Sequence, residues 1–462
     1  MKYINEDAIA GLLSGDNHAS RKEYDDVLRK ARRLQRLSLE EAALLLRVED
    51  EEGISRILET ASFVKDRIYG RRIVLFAPLY VTNRCCNGCL YCSFKADNPA
   101  VERKTLSILE IKEQVSWLLK RGHKRVLMVA AESEREDGDI DYYCEALRAV
   151  YGAREGANSI RRVNVNCAPL SVEGFRRLKA EGIGTYQLFQ ETYHQRTYER
   201  VHPFGPKHDP DYRITAIDRA FEAGIDDIGI GVLFGLYDWR FEALALLSHI
   251  EHLEKRFGIG PHTLSVPRVE PAAGAELSLH PPACVSNRDF RRLVAILRLC
   301  VPYTGIILST RETPRMRDTL FGLGVSQVSA ESRTAPGGYE GISDGGGTAT
   351  QFDVADHRSL DEVIGSLLRR GFIPSFCAAC YRKERTGEAF MDLARPGVIK
   401  NTCNLNALIT LKEYLDDFAS DEVKHDGYRL IERISATLNE GERAALSRFF
   451  GEIDKGIRDQ YL

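Results

Sequence analysis

The spacing of apolar positions changes character near residue 70. Before that point the pattern is helical, and Ser38-Leu39-Glu40-Glu41 forms a capping box ahead of the apolar run at 42–48. From residue 72 onward, short β-rich apolar runs alternate with helical segments, the arrangement that parallel βαβ units require. Eight such runs can be counted, at 72–81, 125–131, 162–167, 185–189, 227–234, 262–269, 305–309 and 325–329. Helical patterns at 108–121, 172–181, 214–223 and 289–299 lie between them. Eight strands with intervening helices predict a closed parallel barrel, since an open doubly wound sheet would more often have five or six.

The expected fold is therefore α/β. A helical extension over 1–70 precedes a TIM-type (β/α)8 barrel over 71–335, and a linker with a helical C-terminal domain fills 336–462. Glu132, Glu191, Arg268, Glu270, Thr310, Arg311 and Arg333 follow the strands at their C-terminal ends, the face where barrel enzymes place their chemistry. Polar residues also begin wherever strands stop, so position alone assigns none of them a role. Pro336-Gly337-Gly338 and Gly345-Gly346-Gly347 read as a linker or lid, because no Gly-Lys-Ser/Thr follows to make a phosphate loop. Residues 358–370 read as a helix capped at Ser359 or nearby.

A chain of 462 residues with 44% hydrophobic content can bury a large core. Sixty-four basic residues against 67 acidic ones give a net charge of −3, so no general attraction to nucleic acid or anionic lipid is expected. No basic segment with an apolar run opens the chain, and no stretch reaches the roughly 20 apolar residues of a membrane span. A soluble cytoplasmic protein is expected.

The eleven cysteines change the picture most. Their odd number and tight grouping argue against a secreted disulfide framework and for ligation. Cys85, Cys89 and Cys92 follow the first strand directly, and three thiolates at that spacing can wrap one corner of an iron-sulfur cubane. A 4Fe-4S cluster takes four ligands, so one iron stays open to a small molecule. In a protein of this pattern that molecule is S-adenosylmethionine (SAM), held through its amino and carboxylate groups. Structural zinc is the competing reading, but zinc normally takes a fourth protein ligand nearby and favours paired knuckles. Cys377, Cys380 and Cys403 form a second trio, again one thiolate short of four. An isolated Cys-x2-Cys could also be a redox pair or a zinc knuckle. Downstream of the first motif, a second open-cornered cluster is the favoured reading. Cys86, Cys144, Cys167, Cys284 and Cys300 sit mostly in apolar or helical settings, where a small buried thiol is the bland explanation, and none is assigned chemistry.

The runs RIVLFAPLYVTNRCCNGCLYCSFK, FQETYH, GIGVLFGLYD, HTLSVPRVEPA and SFCAACYRKERTGEAFMDLARPGVIKNTC resemble the HydG family of FeFe-hydrogenase maturases, which are radical SAM tyrosine lyases. The likeness spans essentially residues 70–415, and the Cys-x2-Cys-x22-Cys separates this family from the thiamine-pathway tyrosine lyases. It implies cleavage of the Cα–Cβ bond of L-tyrosine to p-cresol and dehydroglycine. It further implies conversion of dehydroglycine to carbon monoxide and cyanide at the second, auxiliary 4Fe-4S cluster, where a labile fifth iron with a free cysteine ligand collects them. Carried over by position, Cys85, Cys89 and Cys92 would hold the SAM cluster, and Cys377, Cys380 and Cys403 the auxiliary one. His262 would ligate the fifth iron.

Glu132 stands where related enzymes have a Gly-Gly-Glu-like element, here Ala130-Ala131-Glu132, and Glu191 and Arg213 are the further SAM-binding candidates. Glu191 would accept from the ribose hydroxyls and Arg213 would pair with the methionine carboxylate. Arg311 and Arg333 are candidates for the tyrosine carboxylate, and no proton-abstracting base is assigned. Partners so implied are an electron donor such as ferredoxin or flavodoxin and other hydrogenase maturation proteins. The competing expectations are a radical SAM lyase of another aromatic amino acid, tryptophan for instance, or an iron-sulfur carrier without turnover.

Overall fold

The computed structural model describes residues 1–14, 20–134, 137–339, 350–383, 385–394 and 399–462. Its centre is a closed parallel barrel of β1 (Arg72–Thr82), β2 (Arg125–Ala130), β3 (Arg162–Asn166), β4 (Tyr186–Glu191), β5 (Ile228–Val232), β6 (Thr263–Ser265), β7 (Gly305–Leu308) and β8 (Gln327–Ser329). Each strand pairs with its successor, and β1 closes the ring against both β8 and β2. All eight predicted strands are present. The 262–269 run is shorter than expected, because Pro267 cannot donate to a ladder and only an isolated bridge from Arg268 to Phe234 continues it.

A ninth strand, β9 (Ile373–Ser375), was not predicted from the sequence. It pairs in parallel with Arg72–Val74 of β1, while β1 pairs with β2 only from Ala77 onward. Three residues centred on Pro374 give no readable alternation, and proline is tolerated there because β9 ends the sheet order.

The helices lie outside the barrel and bury apolar faces against it. Helices Ile108–Lys120, Val172–Ala180 and Asn287–Cys300 fall where the periodicity places them, whereas the 214–223 segment divides at Thr215 into Pro210–Ile214 and Ala216–Glu222. Upstream, helices Glu6–Leu13, Arg21–Arg32, Leu39–Leu46 and Glu51–Tyr69 form the predicted helical extension. The capping box is in place: Ser38 accepts from Glu41 N–H while the Glu41 carboxylate takes Ser38 N–H at 2.7 Å. The helix capped at Ser359 spans Leu360–Arg369. The triglycine run at 345–347 lies outside the described residues, and no described helix is long and apolar enough to cross a membrane.

The barrel interior is unusually polar for this architecture, whose centre is normally filled by Val, Ile and Leu. Asn164, Gln187, Thr263, Ser265, Gln327 and Ser329 are all buried. A Cβ at Gly229 would stand 2.6 Å from Thr263 Oγ1 and 2.8 Å from Gln187 Cγ, so glycine is what leaves those side chains room.

Candidate active site at the two ends of the barrel

Successive residues on one face of β1 divide the interior. Phe76, Pro78 and Tyr80 line an upper chamber of about 210 Å³ at the C-terminal ends of the strands, whereas Arg72 and Val74 line a lower one of about 40 Å³. Cys85, Cys89 and Cys92 line the upper chamber, and Cys377 and Cys380 the lower.

In the upper chamber Cys85, Cys89 and Cys92 sit on the loop leaving β1. The loop is held from both sides. Cys86 N–H donates to Glu132 O at 2.9 Å, and Gly88 and Leu90 N–H donate to Phe204 O and Val201 O at 3.2 and 3.0 Å. A Cβ at Gly88 would collide with the Phe204 ring. The Tyr91 hydroxyl meets His202 Nε2 at 2.8 Å, and Asn87 bridges Glu132 Oε2 at 2.9 Å to Lys207 N–H at 2.8 Å. The segment 201–207 is thus a clamp on the cysteine loop.

Glu132, Glu191, Arg213 and Arg311 all line this chamber. Glu191 sits at a β-bulge with φ +72°, a conformation that non-glycine residues adopt rarely and that is held here by ion pairs. Its carboxylate meets Lys207 Nζ at 2.6 Å and Arg213 Nη2 at 3.7 Å. Burial pushes the Glu191 carboxyl up, but the two cations outweigh it and hold it below the usual range. Arg213 is anchored by Nε donating to Phe189 O at 2.8 Å, and Arg311 stacks on Phe352 at 3.3 Å. Arg333 does not line the chamber, although Ser332 and Thr334 on either side of it do. Its expected role at a substrate carboxylate therefore lacks geometric support. Arg268 is committed to a two-pronged ion pair with the buried Glu312. Lys207 and Gln351 line the chamber and were missed, because neither belongs to a motif or a strand end.

Behind Glu191 the next two residues are tied to Glu242, whose carboxyl accepts from the Thr192 hydroxyl and, at 2.9 Å, from Tyr193 N–H. Burial pushes the Glu242 carboxyl up to about 8, against an ordinary 4.5. The neutral folded form therefore contributes stability below the ordinary value, and that contribution is lost as the pH rises through about 8. Glu242→Gln is expected to gain stability relative to the parent as the pH rises from about 4.5 to about 8 and to hold that gain above it, read from urea midpoints. A constant difference across that range would show that Glu242 is ionised throughout.

In the lower chamber Cys377 follows β9 and Cys380 lies in the short helix Ala379–Arg382. Cys403, on helix Ile399–Asp417, is buried, and its interaction with Cys380 lowers the Cys380 thiol. His262 lines the same space with Tyr69, Arg72, Arg125, Arg162 and Tyr381. Its Nδ1 is 3.7 Å from Asp227 Oδ2, and burial holds the imidazole down to about 4, in the neutral form that can ligate a metal. Asp227 also accepts from the Tyr381 hydroxyl, and the Arg162 guanidinium lies 3.1 Å over the Tyr381 ring. Arg125 Nη1 donates to Cys377 O at 2.5 Å.

The donor chemistry fits an iron-sulfur cluster at each end. Among the described residues no three His, Cys, Asp or Glu stand close enough for a single metal ion, while a cubane spans a wider gap than one ion does. Three guanidinium groups face the lower thiols, and the buried Nε atoms of Arg72 and Arg125 have no hydrogen-bond partner within the protein. That surplus of buried positive charge suits an anionic cluster. Of the remaining cysteines, Cys144, Cys167 and Cys300 are buried as expected, Cys86 is half-buried, and Cys284 is exposed.

A closed parallel barrel with an open-cornered cysteine trio above its first strand defines a radical SAM enzyme. Residues 79–247 match the radical SAM superfamily and residues 265–373 the biotin and thiamin synthesis associated domain. The 2-iminoacetate synthase of Escherichia coli (strain K12) is 32% identical over 322 residues, covering 70% of this chain and 82% of that protein. The crystal structure of HydG, a maturase of the FeFe-hydrogenase, superposes with a TM-score of 0.96 at 44% identity over 100% of both chains. HydG from Carboxydothermus hydrogenoformans does so with a TM-score of 0.84 at 41% identity, over 96% of this chain and 97% of that one. The chain belongs to the HydG family of FeFe-hydrogenase maturases.

Proposed function

We infer that the protein cleaves the Cα–Cβ bond of L-tyrosine at the upper chamber, releasing p-cresol and dehydroglycine. The second fragment yields carbon monoxide and cyanide at the lower one, for assembly of the hydrogenase active site. The observation that carries this reading is the placement of the two cysteine trios at opposite ends of one polar-lined barrel, in a chain alike over its whole length to an FeFe-hydrogenase maturase. When bound, the upper cluster supplies the electron that cleaves SAM to a 5′-deoxyadenosyl radical, and the lower one presents an iron for the small products.

The chain's own residues bind and orient. Cys85, Cys89 and Cys92 hold the upper cluster, and Cys377, Cys380 and Cys403 the lower, with His262 as ligand to a fifth iron that carries a free cysteine. The Glu191 carboxylate, kept ionised by Lys207 and Arg213, accepts from the ribose hydroxyls. Arg213 retains donors for the methionine carboxylate, and Glu132 borders the same space through Asn87. Arg311, held against Phe352, receives the tyrosine carboxylate. Closed walls keep water from a radical that would otherwise abstract the wrong hydrogen atom. A low-potential donor of the ferredoxin or flavodoxin type feeds the upper cluster, and other hydrogenase maturation proteins take the product.

Reconstituted protein with SAM, dithionite and L-tyrosine is expected to form p-cresol and 5′-deoxyadenosine in equal amounts, measured by chromatography. SAM cleavage without p-cresol, but with turnover of L-tryptophan, would favour a lyase of another aromatic amino acid. No SAM cleavage with any amino acid would leave a cluster carrier.

A further inference from the structure

Gln351 reaches the upper cysteine loop from 259 positions farther along the chain. Its backbone is fixed twice, by its own N–H donating to Thr334 O at 2.9 Å and by its carbonyl accepting from Ser93 N–H at 3.3 Å. Thr350 O accepts the Ser93 hydroxyl, and the Phe352 ring is covered by Arg311, so the residues on either side are gripped as well. The side chain is oriented by the Tyr80 hydroxyl, which donates to Gln351 Oε1 at 2.7 Å. With Oε1 engaged, Nε2 faces Cys92 Sγ at 3.7 Å, within reach of an N–H···S hydrogen bond. The loop's own amide is less committed: Asn87 Nδ2 stands 3.7 Å from Cys85 Sγ but also donates to Glu132 Oε2 at 2.9 Å.

A donor aimed at a cluster thiolate stabilises the extra negative charge of the reduced state and so raises the reduction potential. The effect is stronger in a low-dielectric interior than in water. We propose that Gln351, oriented by Tyr80, is a positioning residue that raises the reduction potential of the upper cluster by hydrogen bonding to the Cys92 sulfur. This rests on the reading of Cys85, Cys89 and Cys92 as the ligands of that cluster.

The test is a redox titration of the reconstituted holoprotein followed by electron paramagnetic resonance, with the lower cluster as internal reference. Gln351→Leu is expected to move the upper midpoint potential to a more negative value and Gln351→Glu further still. Tyr80→Phe should shift it less and in the same direction, because the amide remains but loses its anchor. The lower cluster should keep its potential in all three. Full iron content in Gln351→Leu and Gln351→Glu with an upper potential equal to the parent's would overturn the proposal. Where neither Gln351 variant loads its upper cluster, Tyr80→Phe decides: a negative shift supports the role and an unchanged potential overturns it. A parent protein without any upper cluster would instead defeat the reading beneath.

Discussion

Replacing Cys377 and Cys380 together by alanine is expected to abolish carbon monoxide and cyanide release while p-cresol and 5′-deoxyadenosine continue to form. Neither thiol borders the upper chamber, and the lower chamber shares none of its lining residues. Tyrosine cleavage should thus persist, since the Arg125 contact at the foot of β2 is to the Cys377 backbone carbonyl and survives the substitution. The products separate cleanly: p-cresol by chromatography, carbon monoxide by haemoglobin trapping, cyanide by derivatisation. Equal loss of all three would mean that the two ends are one site. His262→Ala should spare p-cresol in the same way and lower the iron count by the labile ion alone.

The largest effect on stability is expected at the buried ion pair between Arg317 and Asp356. Their side chains are 0% and 1% exposed, and Arg317 also donates to Ser329 O at the end of β8. Asp356 is the hub, because Arg358 donates to it as well, at 2.7 and 2.9 Å. Asp356→Ala would leave the Arg317 guanidinium buried without its counter-charge, a change that costs about 3–5 kcal/mol in comparable sites. Urea denaturation of the cluster-free protein should report a loss of that order. Substituting both partners, Arg317→Met with Asp356→Leu, should recover most of it, since a matched apolar pair carries no desolvation penalty. A loss under about 1 kcal/mol for the single variant would show that water or a backbone shift satisfies the arginine.

The barrel was legible in the sequence because each of its eight strands is a short, largely buried run with apolar residues at least at every second position, and turns punctuate the runs. β9 was not, since its identity comes from the edge of β1 it meets and its own three residues carry no period. Both cysteine trios could be read because ligand spacing is local, whereas the lower site draws Arg72, Arg125, Arg162 and His262 from four different strand entrances. Such convergence is a property of closure and leaves no local trace. Lys207 and Gln351 went unread for the same reason. Arg333 shows the opposite failure: its position just past a strand is readable, but which way its side chain turns is not.

One strand carries both ends of the molecule. The lower residues of β1 pair with β9 and so fix the approach to Cys377, while its upper end releases the loop that bears Cys85. At roughly 3.3 Å per residue, those eleven residues span of order 30 Å, and the two cysteine groups are held apart along that length. Deleting a single residue there would both shorten that yardstick and exchange the inward and outward faces of everything beyond the cut. The length of β1 is therefore a constraint that neither cysteine group could relax by drifting alone, and natural variation in this protein should accumulate almost anywhere else before it accumulates there.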